Sequence, residues 1–195
     1  MNRQIGFLII AFVLSFAACK NQSSSASTQE ETATTASVDT VTQRKPLSPR
    51  TSAMANVGEN HVHIDYGSPS VRGRVIWGGL VAYDQVWATG AHKATSIELS
   101  QDVMINGTLV PKGKYGFFTI PGEQEWILII NKNFDQHLAD DYNEKLDMVR
   151  IKVKPEQLAE TKEALTYTVE PINDKKGKIS MAWDKLQVSF EFENK

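Results

Sequence analysis

The chain has 195 residues, 41% of them hydrophobic, with 21 basic and 23 acidic side chains for a net charge of -2. That is an ordinary composition for a globular protein, and about 145 residues suffice to bury a self-sufficient core. The near-neutral balance excludes the basic footprint of a nucleic-acid binder, and a single cysteine excludes an internal disulfide.

Residues 1–18 read as a lipoprotein signal peptide. They carry Arg3, an apolar run from Ile5 to Phe16, and Ala17-Ala18 directly before Cys19. The run is shorter than the ~20 apolar residues of a membrane-spanning helix and suits a secretory signal. Small residues before the only cysteine resemble a lipobox, with Phe16 where that motif usually has leucine. On this reading Cys19 is lipidated and anchors the chain in a membrane, each buried methylene contributing about 0.8 kcal/mol. Loss of Arg3 with the signal leaves 20 basic residues against 23 acidic, a net charge of -3. Residues 19–46 are rich in Ser, Thr, Ala, Gln and Glu, cannot offset their ordering entropy by burial, and read as a flexible tether. The expected location is the cell envelope, facing the periplasm or the cell exterior.

Residues 47–195 read as one domain in which alternation of period two dominates. His61, His63 and Asp65 share one face of a strand whose other face carries Val62, Ile64 and Tyr66. Asn106-Gly107 and Pro111-Lys112-Gly113 are turn signals. Tyr115–Ile120 and Glu125–Ile130 flank Pro121-Gly122 as a hairpin whose second strand, WILII, is apolar enough to be covered on both faces. One short helix is expected within Phe134–Leu146 and another opening at Pro155. Val149, Ile151 and Val153 alternate with charged residues, and Leu165, Tyr167 and Val169 with polar ones. Ile179, Met181 and Trp183, then Val188, Phe190 and Phe192, read as a last hairpin turning at Asp184–Gln187. The fold class that follows is all-β: an antiparallel two-sheet sandwich with jelly-roll connections or, alternatively, a closed barrel.

The stretch Tyr66–Leu99 fits neither period. It holds five of the twelve glycines, at positions 67, 73, 78, 79 and 90, together with Arg72, Arg74, Trp77, Tyr83, Trp87 and His92. A long irregular segment in a regular domain is where binding and catalysis concentrate. Arg72 and Arg74 offer guanidinium forks for an anion, while Trp77, Tyr83 and Trp87 offer faces for a flat apolar ligand or a sugar. His92 with Thr95 and Glu98 has some character of an acid–base group, but no Gly-x-Ser-x-Gly elbow accompanies it. His61, His63 and His92 together would supply three imidazoles to a transition metal, although no Cys-x-x-Cys or His-Glu-x-x-His spacing backs them. The acidic run Asp140, Asp141, Glu144 and Asp147 lacks the glycine-punctuated pattern of an EF-hand and reads as a solvated turn.

The runs GSPSVRGRVIWGGLVAYDQVWATGAHKATSIELS and NGTLVPKGKYGFFTIPGEQEWILIINKN resemble the bacterial domain-of-unknown-function family 2911, over Leu47 to Glu193. The resemblance implies secreted and lipid-anchored relatives and a domain boundary, but no activity. In that family an arginine often follows the tryptophan and an asparagine often follows Gly-Ala; here those positions are Ala88 and His92. The leading functional expectation is non-catalytic. The glycine-rich loop binds a small ligand, a glycan or an envelope protein, with Arg72 and Arg74 orienting the polar part and Trp77 and Trp87 supplying apolar area. The alternatives are a metal-dependent enzyme using the three histidines and a purely structural envelope role.

Overall fold

The computed structural model describes residues 46–195. The segments expected to be a signal peptide and a tether, with the expected lipidation at Cys19, lie outside the described residues as far as residue 45. The chain runs through ten strands: β1 (Arg50–Val57), β2 (Asn60–Gly67), β3 (Thr95–Leu99), β4 (Val103–Ile105), β5 (Thr108–Val110), β6 (Gly113–Ile120), β7 (Trp126–Asn131), β8 (Asp147–Val153), β9 (Glu156–Pro171) and β10 (Lys176–Asn194). They form two antiparallel sheets, ordered β1-β2-β3-β6-β7-β8 and β5-β4-β10-β9, and the sandwich does not close into a barrel. The six-stranded sheet winds as a meander, and two hairpins, β4–β5 and β9–β10, leave it to form the second sheet, in place of the interlocked path of a jelly roll. Among the described residues no helix is long and apolar enough to cross a membrane.

Local sequence explains most of these elements. The β4–β5 hairpin turns at Asn106 (φ 48°) and Gly107 (φ 77°). Two left-handed residues are what a type I′ turn requires, and Asn-Gly is the pair that accepts them most readily. In β2 the inward Val62, Ile64 and Tyr66 are buried while His61 is exposed, because antiparallel strands with one wet face alternate in this way. In β7 Trp126, Leu128 and Ile130 join the core between the sheets, whereas Ile129 points to the opposite face. There it meets Phe118, Ala88 and Ala94 in a second, smaller core. The WILII run is therefore covered on both sides, as its lack of alternation implied.

Two expectations fail for tertiary reasons. Of the expected helices, only a single 3₁₀ turn at Glu144–Leu146 forms, and the segment after Pro155 is the first half of β9. Its Glu, Gln, Ala and Lys residues favour a helix, but they carry no apolar stripe to bury, and strand pairing with β10 wins. The expected hairpin at Asp184–Gln187 is instead an irregularity inside β10. Asp184 adopts φ 55° there. The buried set switches from odd positions (Ile179, Met181, Trp183) to even ones (Val188, Phe190, Phe192). From Ala182↔Thr166 to Leu186↔Gln157, β10 advances four residues while β9 advances nine. The surplus of β9 arches away and pairs with the irregular segment instead, through Ser70↔Ala164 and the bonds Val71 N to Glu163 O (2.7 Å) and Leu165 N to Pro69 O (2.9 Å). A parity switch in an apolar pattern thus marked a bulge, not a turn.

The irregular segment is tied to both sheets. Beyond its contacts with β9, Trp87 exchanges two backbone hydrogen bonds with Thr119 of β6, at 2.8 and 2.9 Å. Its inner anchor is Thr89, which is fully buried and holds φ 50°, a conformation that costs a β-branched residue about 1–3 kcal/mol. That strain persists because the position is held from several directions. The Thr89 carbonyl accepts from Thr95 Oγ1 and Tyr167 Oη, both at 2.9 Å, and its own hydroxyl donates to the Trp87 carbonyl at 3.1 Å.

Burial pushes the Tyr167 phenol well above the ordinary value of 10.0. Tyr142, which donates to Asp147 Oδ2 at 2.7 Å, is raised by burial and then by that hydrogen bond, and Tyr115 is raised by burial and by Asp102. A phenol with a raised pKa in the fold contributes fully below its unfolded value and loses that contribution as pH climbs past it, since the unfolded chain releases the proton first. Stability is therefore expected to hold to about pH 10 and fall above it. Urea midpoints at about pH 8 and about pH 11 should separate, and phenolate absorbance from Tyr167 should appear only together with loss of β circular dichroism. Phenolate forming throughout a folded domain would contradict the burial of Tyr167.

Candidate functional site

All four tryptophans of the chain meet at one place. Trp77 sits edge-on to Trp126 at 4.7 Å between ring centroids and to Trp87 and Trp183 at 5.8 Å each. Trp87 stacks on Trp183 at 5.8 Å with the planes 22° apart. Trp126 and Trp183 come from the sheets and are buried, whereas Trp77 and Trp87 come from the irregular segment and are half-buried. Offset and edge-to-face pairs of this kind are worth about 0.5–1.5 kcal/mol each beyond their area. The aromatic cluster is what seats the irregular segment on the sandwich. Trp87 Nε1 donates to the Gly90 carbonyl at 3.3 Å. The indole N–H groups of Trp77, Trp126 and Trp183 are buried without an acceptor, an arrangement that costs rather than stabilises.

A cavity of about 370 Å³ opens on the Trp87 side of this cluster. Trp87 and Trp183 contribute aromatic surface, Leu80, Val81 and Leu138 aliphatic surface, and Arg74, His92 and His137 its ionisable groups. No acidic side chain lines it. Arg74 is held by donating from Nη2 to the Ser70 carbonyl (2.6 Å) and from Nε to the Val71 carbonyl (3.2 Å). It makes no ion pair among the described residues, so its charge has no carboxylate partner within the domain. His92 (φ 65°) and Leu138 (φ 49°) both stand in the left-handed region and are joined by a 2.6 Å bond from Leu138 N to His92 O. Two strained non-glycine residues facing one cavity are the kind of cost that folded domains carry at functional sites. His137 Nδ1 lies 2.9 Å from Asp140 Oδ2, which orients the ring from outside the cavity.

The structure divides the residues singled out in the sequence. Arg74, Trp87 and His92 come together in this cavity, but Arg72 does not line it. Arg72 instead donates from its guanidinium to the Leu47 carbonyl and from its backbone N–H to Glu163 Oε1, so it ties the loop to the domain's entry segment and to β9. The arginine pair is thereby split. Trp77 and Tyr83 line a different cleft on the far side of the cluster. The metal reading is not supported by the geometry. The rings of His61 and His63 lie 6.3 Å apart between centroids on the outer face of β2, with His61 Nδ1 at 2.8 Å from Asn56 Oδ1, and His92 belongs to the cavity. Among the described residues no group of three or more His, Cys, Asp or Glu is arranged to hold a metal ion. Thr95 is spent on the Thr89 carbonyl. Asp147 is spent on Asn131, Tyr142 and Arg150.

His137, Leu138 and Trp183 escaped the sequence reading as site residues. His137 and Leu138 lie in a polar loop with no local pattern, and Trp183 reads as core because it is core on one face. Long-range contacts bring them to the irregular segment: the bridge Lys93↔His137, the bond from Leu138 N to His92 O, and the packing of Trp183 on Trp87 and Trp77.

Neither among curated proteins nor among solved structures does the chain find a match. A family model described as "Protein of unknown function (DUF2911)" matches residues 48–192, which takes in both sheets, the tryptophan cluster and the whole of the cavity lining, and on that match the chain belongs to the DUF2911 family.

Proposed function

We propose that this is a lipid-anchored cell-envelope protein whose β-sandwich is a non-catalytic module binding a small organic acid with a flat apolar body. The observation that carries the binding reading is the Arg74 cavity. One permanent cation without a carboxylate partner faces a space lined by two indoles and three aliphatic side chains, with no acidic group to compete. Its volume of about 370 Å³ falls within the range of small-ligand sites. An arginine fork favours a carboxylate by geometry as well as charge, and Trp87 and Trp183 give the apolar body of the acid a surface to pack against. The anchoring part rests on the sequence around Cys19 and the polar tether that follows it.

The test is a titration of the full chain in detergent with benzoate, phenylacetate and the uncharged analogue benzamide, reading the Trp87 and Trp183 indole signals by nuclear magnetic resonance. The acids are expected to move both signals, and benzamide to bind more weakly. Arg74→Gln is expected to lower the acids' affinity by about tenfold, the worth of one charge-assisted hydrogen bond. Indole signals that do not respond to either acid, or an Arg74→Gln variant that binds them equally well, would overturn the reading. Mass spectrometry of the membrane-extracted chain tests the anchor: a diacylglycerol adduct on Cys19 is expected, and its absence removes that part of the proposal.

A further inference from the structure

The larger cleft on the other side of the tryptophan cluster, about 820 Å³, has a different chemistry. We propose that it is a separate groove for a neutral saccharide. Its charged side chains are Glu123, Asp184, Lys154 and Lys185, two of each sign. None of the four makes an ion pair among the described residues. A lining that holds acids and bases in equal number has no net charge to attract an ion, but it presents both acceptors and donors. Hydroxyl groups, which donate and accept at once, match such a lining better than any single-signed ligand. Gln124 and Gln157 add amides of the same dual character.

The aromatic part is built for stacking. Trp77 lines the cleft, held edge-on by its three tryptophan neighbours. Tyr83 packs closely against the chain at Gly78: a Cβ at that glycine would come within 2.8 Å of the Tyr83 ring, and Gly78 itself stands at φ 72°. Glycine is therefore needed there both for the turn and to let the ring approach. Two aromatic side chains packed against their neighbours before binding offer apolar surface to the C–H side of a pyranose at low ordering cost.

Asp184 is the second independent observation. It occupies the left-handed region at φ 55° inside β10, where glycine would carry the conformation without strain. The same irregularity breaks the register between β9 and β10. The chain accepts both costs and thereby sets a carboxylate on the cleft wall between the sheet and the Val75–Tyr83 segment. Backbone strain at a residue lining a cleft, beside fixed aromatic rings and uncommitted polar groups, supports a role in binding.

The experiment titrates the full chain, in a zwitterionic detergent without a sugar headgroup, with soluble oligosaccharides of β-1,4-glucose, α-1,4-glucose and β-1,4-N-acetylglucosamine. At about 10 mM sugar even a millimolar site is mostly filled. At least one of the three is expected to shift the Trp77 indole signal while the buried Trp126 signal stays in place. Asp184→Gly removes the carboxylate and relieves the backbone, so it should keep the melting temperature and lower affinity by about tenfold; Glu123→Gln should do likewise. No shift of Trp77 with any of the three sugars, or unchanged affinity in both variants, would overturn the proposal.

Discussion

Trp183→Ala is expected to destabilise the domain by about 3–5 kcal/mol, a large part of the roughly 5–15 kcal/mol that holds a domain of this size. Trp183 is 1% exposed and touches both tryptophans of the irregular segment, stacking on Trp87 and meeting Trp77 edge-on. Its removal leaves a void that the rigid β9–β10 pair cannot close, and unseats the segment that walls the Arg74 cavity. Urea denaturation should show a lower midpoint, and any folded fraction should no longer bind benzoate. Trp183→Phe keeps most of the volume and deletes an indole N–H that has no acceptor, so it should cost much less. Equal losses in the two variants would show that packing at this site does not follow the geometry described.

Gly67→Ala is expected to be as damaging for a different reason. A Cβ at Gly67 would stand 2.2 Å from the Ala91 carbonyl oxygen and 3.0 Å from its carbon. The obstruction is backbone, so no rotamer change relieves it. Gly67 ends β2, and Gly90-Ala91 carries the chain back into β3, so the two ends of the irregular segment pass each other here without room for a methyl group. Separating them pulls on the Thr89 carbonyl and its two hydroxyl donors. A loss of about 3 kcal/mol or more is expected, beyond the range usual for overpacking against side chains. The control is Gly73→Ala, where nothing lies within 4 Å of the added atom and only the φ of 67° opposes it. That variant should lose about 1 kcal/mol. A Gly67→Ala domain with an unchanged melting temperature would reject the close approach.

The contrast between these two sites describes how legible the protein was. The all-β class, the Asn106-Gly107 hairpin, the outward row of His61, His63 and Asp65, and the doubly covered WILII strand were all readable, because each is set by side-chain period or by turn chemistry within a few residues. The Asp184 irregularity shows in the sequence as a change of parity, which a hairpin would produce equally well. A bulge and a short turn interrupt alternation alike, and only the pairing partner tells them apart. The Pro155–Leu165 segment misled through helix propensity, which sheet pairing overrides.

The irregular segment stands out in the sequence as a place for binding, and three of the side chains singled out in it, Arg74, Trp87 and His92, meet in one cavity. Which three was not readable. Arg72 and Arg74 are two residues apart and look equivalent, yet one is consumed by Leu47 and Glu163 and the other is free to face a ligand. His92 sits with His137, forty-five positions away, rather than with His61 and His63, because the bond from Leu138 N to His92 O closes that loop onto the segment.

The sequence alone determined the strands, most of their turns and the family, all of which follow from patterns a few residues long. The tertiary structure alone decided that four tryptophans from separate elements form one cluster, and that the cluster divides a cationic cavity from a charge-balanced cleft. The physical reason is that both sites are assembled from long-range pairings, whose partners are chosen by packing of the whole sandwich and leave no mark on the local chain.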